Sequence, residues 1–342
     1  MRIVSRSGIA LPVIGILALS NVALAHEGDH GPGGGGSSSD STDDVSTTKD
    51  APPVGSEKLS FGLDWVMGFG NVLAVEQQYP GSTQITPTNV IVSAPYRTQT
   101  YMPTAHYAFS SFGLGLRVPM TIGNIRNASP QITGDNVFTV GGIALAIDMP
   151  KKVSDTLTVT PELELVAPTA QGDAPPTPEA LAKIPPGSFD RYAAYKYSAN
   201  LAAAMSHGYE DDALFWAHRA GAVPRIGATL KTGALTLAPF AKLPIMVDTH
   251  TDSDERLRLE VVGGARLAYA VTPWFEPGVR VWAVVPIIAQ SGFRDPAGVV
   301  EPQLRFHAGN TLSVTIAGIL PFAGGLTDPY TGAIRATVGV AF

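Results

Sequence analysis

Residues 59–70 read LSFGLDWVMGFG, and this stretch contains the pattern that decides the fold. Large apolar residues occupy every second position, and Asp64 is among the residues that fall between them. Because successive side chains of a strand point to opposite faces, this period of two predicts a strand with one apolar and one polar face. The apolar set is Leu59, Phe61, Leu63, Trp65, Met67 and Phe69.

The same alternation recurs along the rest of the chain and predicts about twelve strands. Each is close to the 9–11 residues that a tilted strand needs to cross the apolar core of a bilayer. After the N-terminal region no segment has 18 consecutive apolar residues, which excludes a helical membrane protein. The predicted strands are 59–69, 98–109, 113–122, 137–149, 156–168, 216–230, 234–247, 257–271, 274–287, 299–307, 311–322 and 332–342.

Charged residues lie in the middle of these strands, on the face opposite the apolar residues. A sandwich would expose them to bulk water, whereas a closed barrel would place them around an enclosed polar lumen. Nine are basic and six are acidic, and each is a candidate lumen-lining residue or a salt-bridge partner across the lumen. They are Asp64, Arg117, Glu162, Glu164, Arg219, Arg225, Lys242, Arg258, Glu260, Arg266, Glu276, Arg280, Glu301, Arg305 and Arg335.

The connections between strands favour the barrel. Short connections at 231–233, 272–273 and 307–310 alternate with long ones at 70–97, 123–136 and 169–215. Short turns at one rim and long loops at the other are typical of outer-membrane barrels. The sequence therefore predicts an all-β, membrane-spanning, antiparallel up-and-down β-barrel whose strand number is even.

Residues 169–215 are predicted to form a long external loop that contains a short helix. The stretch near 190–207 is rich in alanine, and Gly208 is suited to end a helix. Trp216 and Trp274 are interpreted as members of the aromatic girdles at the membrane interfaces. Prolines inside strands are expected to mark bulges or strand ends, at Pro119, Pro161, Pro239, Pro244, Pro277 and Pro321.

The N-terminal region divides into two segments that precede the barrel of 57–342. Residues 1–25 combine Arg2 and Arg6 with a short apolar run and a small-residue cleavage site, which predicts a signal peptide. Residues 26–56 are rich in glycine, serine and acids and predict a disordered leader.

The leader contains weak candidates for a metal site. His26 and His30, with Glu27 and Asp29 between them, carry donor atoms for a divalent cation. The favoured alternative is a solvated polar tail, because two histidines without fixed geometry make a poor site.

Composition excludes several classes of protein. The net charge is −6 and no cluster of lysine and arginine is present, which argues against nucleic acid as a partner. The absence of cysteine removes disulfides, thiolate zinc sites and a cysteine nucleophile. No motif indicates a cofactor, and none is predicted.

The last residues, AIRATVGVAF at 333–342, place Ile334, Val338, Val340 and Phe342 on one face of the last strand. This ending resembles the C-terminal signature of Gram-negative outer-membrane proteins, which the barrel-assembly machinery recognises. Residues 161–173, PELELVAPTAQGD, resemble a segment of the phenol-degradation MetA-pathway family of transporter-like barrels. These resemblances imply an outer-membrane barrel in contact with lipid, with the leader and the C-terminus in the periplasm.

The sequence favours a passive channel for small solutes. The excess of basic residues in the predicted lumen favours anions, and the family resemblance points to aromatic cargo. An alternative is a structural or adhesive barrel in which the loop at 169–215 acts as a lid, plug or binding surface.

An outer-membrane hydrolase is the third hypothesis, since such enzymes need a hydroxyl nucleophile beside a histidine base. His106 lies near Ser110 and Ser111 but has no evident orienting partner in the sequence. His218 follows the acids of 210–212 but has no serine nearby. The sequence therefore predicts that the protein is not an enzyme.

Overall fold

The computed structural model describes residues 58–78, 88–125, 135–174, 178–185, 188, 190–250, 256–289, 295–309, 311–324 and 330–342. The predicted signal peptide, the predicted leader and the candidate metal ligands His26 and His30 lie outside the described residues. Among the described residues, no helix has the length and apolar character needed to cross a bilayer.

Twelve strands form the wall of the barrel, and three of them are interrupted. The first five are β1 (Lys58–Gln78), β2 (Thr88–Ala108), β3 (Gly113–Arg117 and Met120–Ile125), β4 (Asp135–Val140 and Ala144–Asp148, with Lys151–Lys152 beyond it) and β5 (Leu157–Val166). The other seven are β6 (Arg219–Thr232), β7 (Leu235–Lys242 and Ile245–Asp248), β8 (Leu257–Tyr269), β9 (Phe275–Ile288), β10 (Ala297–Ala308), β11 (Leu312–Gly324) and β12 (Tyr330–Ala341).

Each strand pairs antiparallel with the strands before and after it in the chain. The first strand pairs with β2, through Asp64 opposite Met102, and also with β12, through Asp64 opposite Thr337. The sheet therefore closes on itself and leaves no edge, which removes the unpaired backbone groups that lipid cannot satisfy. The predicted closed barrel of twelve antiparallel strands is confirmed.

The two faces of the wall differ as the alternation predicts. On β1, Phe61 is 48% exposed and Leu63 is 42% exposed, whereas Asp64 and Val66, on the opposite face, are 1% and 0% exposed. Large apolar residues are also exposed on other strands of the wall, including Leu145 at 60% and Phe322 at 59%. An apolar outer face around a polar interior is the arrangement of a membrane barrel.

The connections also follow the predicted alternation. Short turns at 109–112, 153–156, 233–234 and 270–274, and the strand ends Ala308 and Leu312, share one rim with Lys58 and Phe342, which we call the short-turn rim. The described strand ends that border the longer connections lie at the opposite rim. The first hairpin departs from the prediction, because β1 and β2 extend to Gln78 and Thr88 where a loop at 70–97 is predicted.

The prediction that prolines inside the strands mark bulges or strand ends is confirmed only in part. Pro119 and Pro244 separate the two pieces of β3 and of β7, and Pro321 pairs with Val299 beside a register shift. Pro161 and Pro277 lie instead within continuous strands, opposite Ile226 and Leu304.

Among the residues described between β5 and β6 are two α-helices, α1 (Pro178–Leu181) and α2 (Arg191–Ser206), and a 3-10 turn at Asp212–Leu214. The second begins at Asp190, whose carboxylate accepts hydrogen bonds from the backbone N–H of Tyr192 and Ala193 at 3.0 and 3.1 Å. It ends at Ser206, and Gly208, two residues further on, has a φ of +61°. The predicted helix and its predicted stop are both confirmed.

Most of residues 190–217, which we call the inward segment, lies inside the barrel, and Asp190 and Tyr192 at its start are exposed. Every residue from 198 to 217 is buried. The helix packs against the inner face of the wall, where Ser206 lies 3.1 Å from Thr98 of β2, oxygen to oxygen. Close packing here depends on small residues, because a Cβ at Gly68 would overlap Ser206 and one at Gly123 would lie 2.8 Å from Ala199.

Candidate functional site: the charged interior of the barrel

The structure places all fifteen predicted lumen residues on the inner face of the wall. Twelve are buried, and Arg117, Glu162 and Arg225 are half-buried. Each takes part in an ion pair with a residue of another strand, of the same strand (Arg258 with Glu260) or of the inward segment, and this arrangement offsets the cost of removing each charge from water.

One cluster joins the first and last strands. Arg335 of β12 donates from Nε to both carboxylate oxygens of Asp64 at 2.9 and 3.0 Å, and from Nη2 at 2.5 Å. Its Nη1 donates to Glu301 of β10 at 3.1 Å. Thr337 donates to Asp64 at 3.0 Å. Asp64 is therefore held by two residues of the strand that closes the barrel.

Two further clusters lie on other parts of the wall. Arg117 of β3 donates from Nε to Glu164 of β5 at 2.8 Å, and Arg225 of β6 donates to Glu162 at 3.0 Å. On the opposite side of the lumen, Arg266 of β8 donates to Glu276 of the neighbouring strand β9 at 2.8 Å.

Glu276 also lies 3.7 Å from Arg305 of β10, measured from its Oε1 to Nη1. One carboxylate therefore contacts two guanidinium groups at this part of the wall.

Three consecutive acids of the inward segment, Glu210, Asp211 and Asp212, reach the cations of the wall. We call them the acidic triplet. Glu210 pairs with Arg280 of β9 and lies 3.5 Å from the amine of Lys242.

Asp211 accepts hydrogen bonds from Lys242 of β7 at 3.0 Å and from Arg117 at 3.3 Å. Asp212 lies 3.7 Å from Arg258 of β8. The acidic triplet thus contacts strands on several sides of the lumen.

Aromatic side chains hold the same turn in place. Trp282 of β9 donates from its indole N–H to the carbonyl oxygen of Gly208 at 3.0 Å. Trp216 donates to Asp212 at 3.0 Å, and the guanidinium of Arg258 lies 4.2 Å from the centre of its ring.

The interpretation of Trp216 as an interface residue is therefore wrong. Trp216 is 7% exposed because it packs inside the barrel between a carboxylate and a guanidinium. Trp274 differs, since it lies in the short turn at 270–274 and is 58% exposed.

The acidic triplet changes the charge balance that the sequence suggests. The predicted lumen residues comprise nine bases and six acids, and the triplet adds three acids to the same space. Sequence reasoning missed these residues because it assigned them to an external loop. One feature of the sequence could have indicated their position: the strands carry an excess of three bases, and the loop carries three consecutive acids that could neutralise them.

A cavity of about 200 Å³ lies between the acidic triplet and the short-turn rim. Its lining includes eight basic residues: Lys58, Arg117, Arg225, Lys242, Arg266, Arg280, Arg305 and Arg335. It also includes five acids: Asp148, Glu162, Glu164, Asp211 and Glu301. The lining therefore carries a formal excess of three positive charges.

The histidines considered as catalytic bases lie in two different places. His106 lines the cavity and its Nε2 lies 2.7 Å from Oδ1 of Asp148, so the inference that it has no orienting partner is wrong. Ser110 and Ser111 lie in the exposed turn at the short-turn rim.

His218 follows the acidic triplet closely in the sequence, but the two do not form one site. Its Nε2 lies 2.8 Å from Asp173 and its ring is 4.0 Å from that of His250, whereas the triplet binds cations of the wall. Within the described residues, no group of three or more histidines and carboxylates is arranged to hold a metal ion.

No family model matches the sequence, and no curated protein sequence does. Among solved structures, the chain is similar to the crystal structure of the COG4313 outer membrane channel from Pseudomonas putida F1, with a TM-score of 0.55 and 9% identity. That similarity covers 86% of this chain and 98% of the other.

Two other solved structures are similar at lower scores. The NanC porin has a TM-score of 0.42 at 9% identity, over 82% of this chain and 98% of that one. The TodX monoaromatic hydrocarbon channel deltaS2 mutant has a TM-score of 0.38 at 9% identity, over 84% and 89%. The similarity to the COG4313 channel concerns the fold, and it leads to one conclusion: the chain has the fold of an outer-membrane channel barrel.

Proposed function

We propose that this protein is a passive outer-membrane channel for small solutes, narrowed by its own inward segment. The observation that carries the proposal is the closed wall with apolar residues outside and ion-paired residues inside. Such a wall suits lipid on one side and an aqueous path on the other. A barrel of twelve strands is wide enough to hold the inward segment and still enclose a cavity.

The cavity supports a preference for anions. Its lining carries eight bases and five acids, and a path lined by one sign of charge concentrates ions of the opposite sign. The acidic triplet reduces this preference where it neutralises Lys242, Arg258 and Arg280. The aromatic cargo implied by the family resemblance stays a prediction.

We also propose that the short-turn rim faces the periplasm of a Gram-negative cell. The last strand supports recognition by the barrel-assembly machinery, because Ile334, Val338 and Phe342 are exposed on its outer face. The backbone N–H of Phe342 donates to Leu59 at 2.9 Å, so the last residue still pairs with the first strand.

Purified protein in planar lipid bilayers tests the proposed function. We expect discrete single-channel currents with a chloride-to-potassium permeability ratio above one. A silent bilayer, with barrel insertion verified by heat-modifiable migration on gels, would contradict the proposal. Turnover of lipid by the same sample would favour the hydrolase instead.

A further inference from the structure

One part of the cavity wall, formed by β8, β9 and β10, concentrates hydrogen-bond donors. Arg266 of β8 lies directly opposite Arg280 of β9, and Arg305 of β10 lies opposite Glu276. Directly opposed like charges destabilise a strand pair unless another group compensates them, and here Glu276 pairs with Arg266 and Glu210 pairs with Arg280. Arg266, Arg280 and Arg305 are all buried and all line the cavity.

Gln303 lies on β10 between Glu301 and Arg305 on the same face. Its side chain is 8% exposed and lines the cavity. Among the residues that the structure describes, its Nε2 has no hydrogen-bond partner. A buried amide donor without a partner costs free energy, and such groups in native proteins call for an explanation.

The neighbours of Gln303 across the sheet offer this amide no acceptor. Its partners across the sheet are Gly278 on β9 and Ala317 on β11, and neither has a side chain that could accept a hydrogen bond. The next residue along the row is Ala268, opposite Gly278. Gln303 is the polar residue among Ala268, Gly278 and Ala317 in this row, and Arg335 lies opposite Ala317 at its end.

We propose that Arg266, Arg280, Gln303 and Arg305 form a binding site for the carboxylate of a small organic acid. A carboxylate accepts two parallel hydrogen bonds from a guanidinium and a further one from an amide N–H. The cavity of about 200 Å³ admits a molecule of a few non-hydrogen atoms besides its carboxylate. This site rests on the proposed channel function and names the class of solute that the channel selects.

The acidic neighbours favour a singly charged carboxylate over a doubly charged phosphate. Glu276 and Glu301 both lie beside the proposed site, and each repels a second negative charge on the ligand. Acetate is therefore the probe for the site, acetamide is its neutral counterpart, and inorganic phosphate is the competing anion.

The test compares the wild-type channel with Gln303→Leu, which removes the amide and keeps every charge of the wall. Gln171→Leu is the matched control, because Gln171 is exposed in the loop after β5. Acetate titrated into chloride solutions should lower the wild-type current saturably, while acetamide should not. The acetate concentration that gives half of the maximal block should rise about tenfold in Gln303→Leu, as expected for a lost hydrogen bond to a charged group. The same concentration should not change in Gln171→Leu.

The outcomes separate this site from the proposed function. Equal half-saturation in Gln303→Leu and the wild type would overturn the site even when both conduct and prefer anions. Stronger block by phosphate than by acetate would overturn the assignment to carboxylates. Should the wild type carry no current, the channel proposal fails, and calorimetric titration of acetate into both folded proteins in detergent decides the site by itself.

Discussion

Arg335 on the last strand donates three hydrogen bonds to the carboxylate of Asp64 on the first strand, at 2.5 to 3.0 Å. This contact joins residues 271 positions apart, at the seam where the sheet closes. Both side chains are buried, so Asp64 depends on Arg335 for compensation, and Arg335 depends on Asp64 together with Glu301.

Removing one partner of this pair should destabilise the barrel strongly. We expect Asp64→Asn and Arg335→Gln each to lower the free energy of unfolding by about 3–5 kcal/mol, because the remaining charge stays buried. The double variant should lose less than the sum of the single losses. Urea unfolding in lipid vesicles measures these values. Asp155→Asn is the control, since Asp155 pairs with Lys152 in water and should change stability little. Additive losses would contradict the coupling.

Neutralising the acidic triplet should increase the preference for anions. Asp211 lies between Lys242 and Arg117, and Asp211→Asn removes one negative charge from the narrowed part of the lumen. A unit charge about 10 Å from an ion in water contributes ~0.4 kcal/mol, with opposite sign for chloride and for potassium, so the permeability ratio should change about fourfold. Reversal potentials in asymmetric potassium chloride measure this ratio. Asp173→Asn, at an exposed carboxylate, should leave it unchanged, and a ratio unchanged by Asp211→Asn would contradict the account.

An arginine on the outer face should be costly where lipid contacts the wall. Leu145 is 60% exposed on β4, between Leu116 and Leu165 of the neighbouring strands. We expect Leu145→Arg to lower the free energy of unfolding in bilayers by about 2–4 kcal/mol. Thr229→Arg, on the inner face beside the cavity, should cost less. The opposite order of these two losses would show that the assignment of the faces is wrong.

The last residue should matter for assembly more than for the finished barrel. Phe342 is 74% exposed and its ring lies 6.3 Å from that of Phe61. We expect Phe342→Ser to reduce the fraction of heat-modifiable protein in outer-membrane preparations. Phe322→Ser removes another exposed phenylalanine from the outer face and should reduce that fraction less. Equal losses would remove the special role of the last position.

The sequence was sufficient for the wall because one physical constraint governs most of it. Lipid outside and ion pairs inside impose a period of two, as at Leu63, Asp64 and Trp65, and closure imposes an even number of strands. The helix at Arg191–Ser206 was also predictable, because its alanines favour a helix and Gly208 can adopt the positive φ that ends one.

The first hairpin shows where the pattern fails. The inner face of its extended part carries Val72, Ala74, Ala94 and Tyr96, which are buried and apolar. This part of the wall shares one apolar cluster with the inward segment, so its inner face is no longer polar. The alternation between apolar and polar residues disappears there, and the sequence reads as a loop.

The position of the inward segment had no local signal. Alanines of α2 are buried on several sides, so the helix has no polar face that would place it at a surface. Its location depends on pairings with residues far away in the chain, such as Glu210 with Arg280. A count of charges in the predicted lumen, which left three bases in excess, was the only indication.

The account depends most on the location of the inward segment, and an engineered cross-link tests it directly. The chain has no cysteine, and the side-chain oxygens of Thr98 and Ser206 lie 3.1 Å apart. The control pair is Thr98→Cys with Ser188→Cys, because α2 separates Ser188 from Ser206 by about 24 Å along its axis.

The measurement is disulfide formation in native outer membranes under mild oxidation, followed by single-channel recording. The account predicts near-complete cross-linking of Thr98→Cys with Ser206→Cys, none in the control pair, and a cross-linked channel that conducts no more than the wild type. Free, readily alkylated thiols at 98 and 206 would contradict it, as would a cross-linked channel with several times the wild-type conductance.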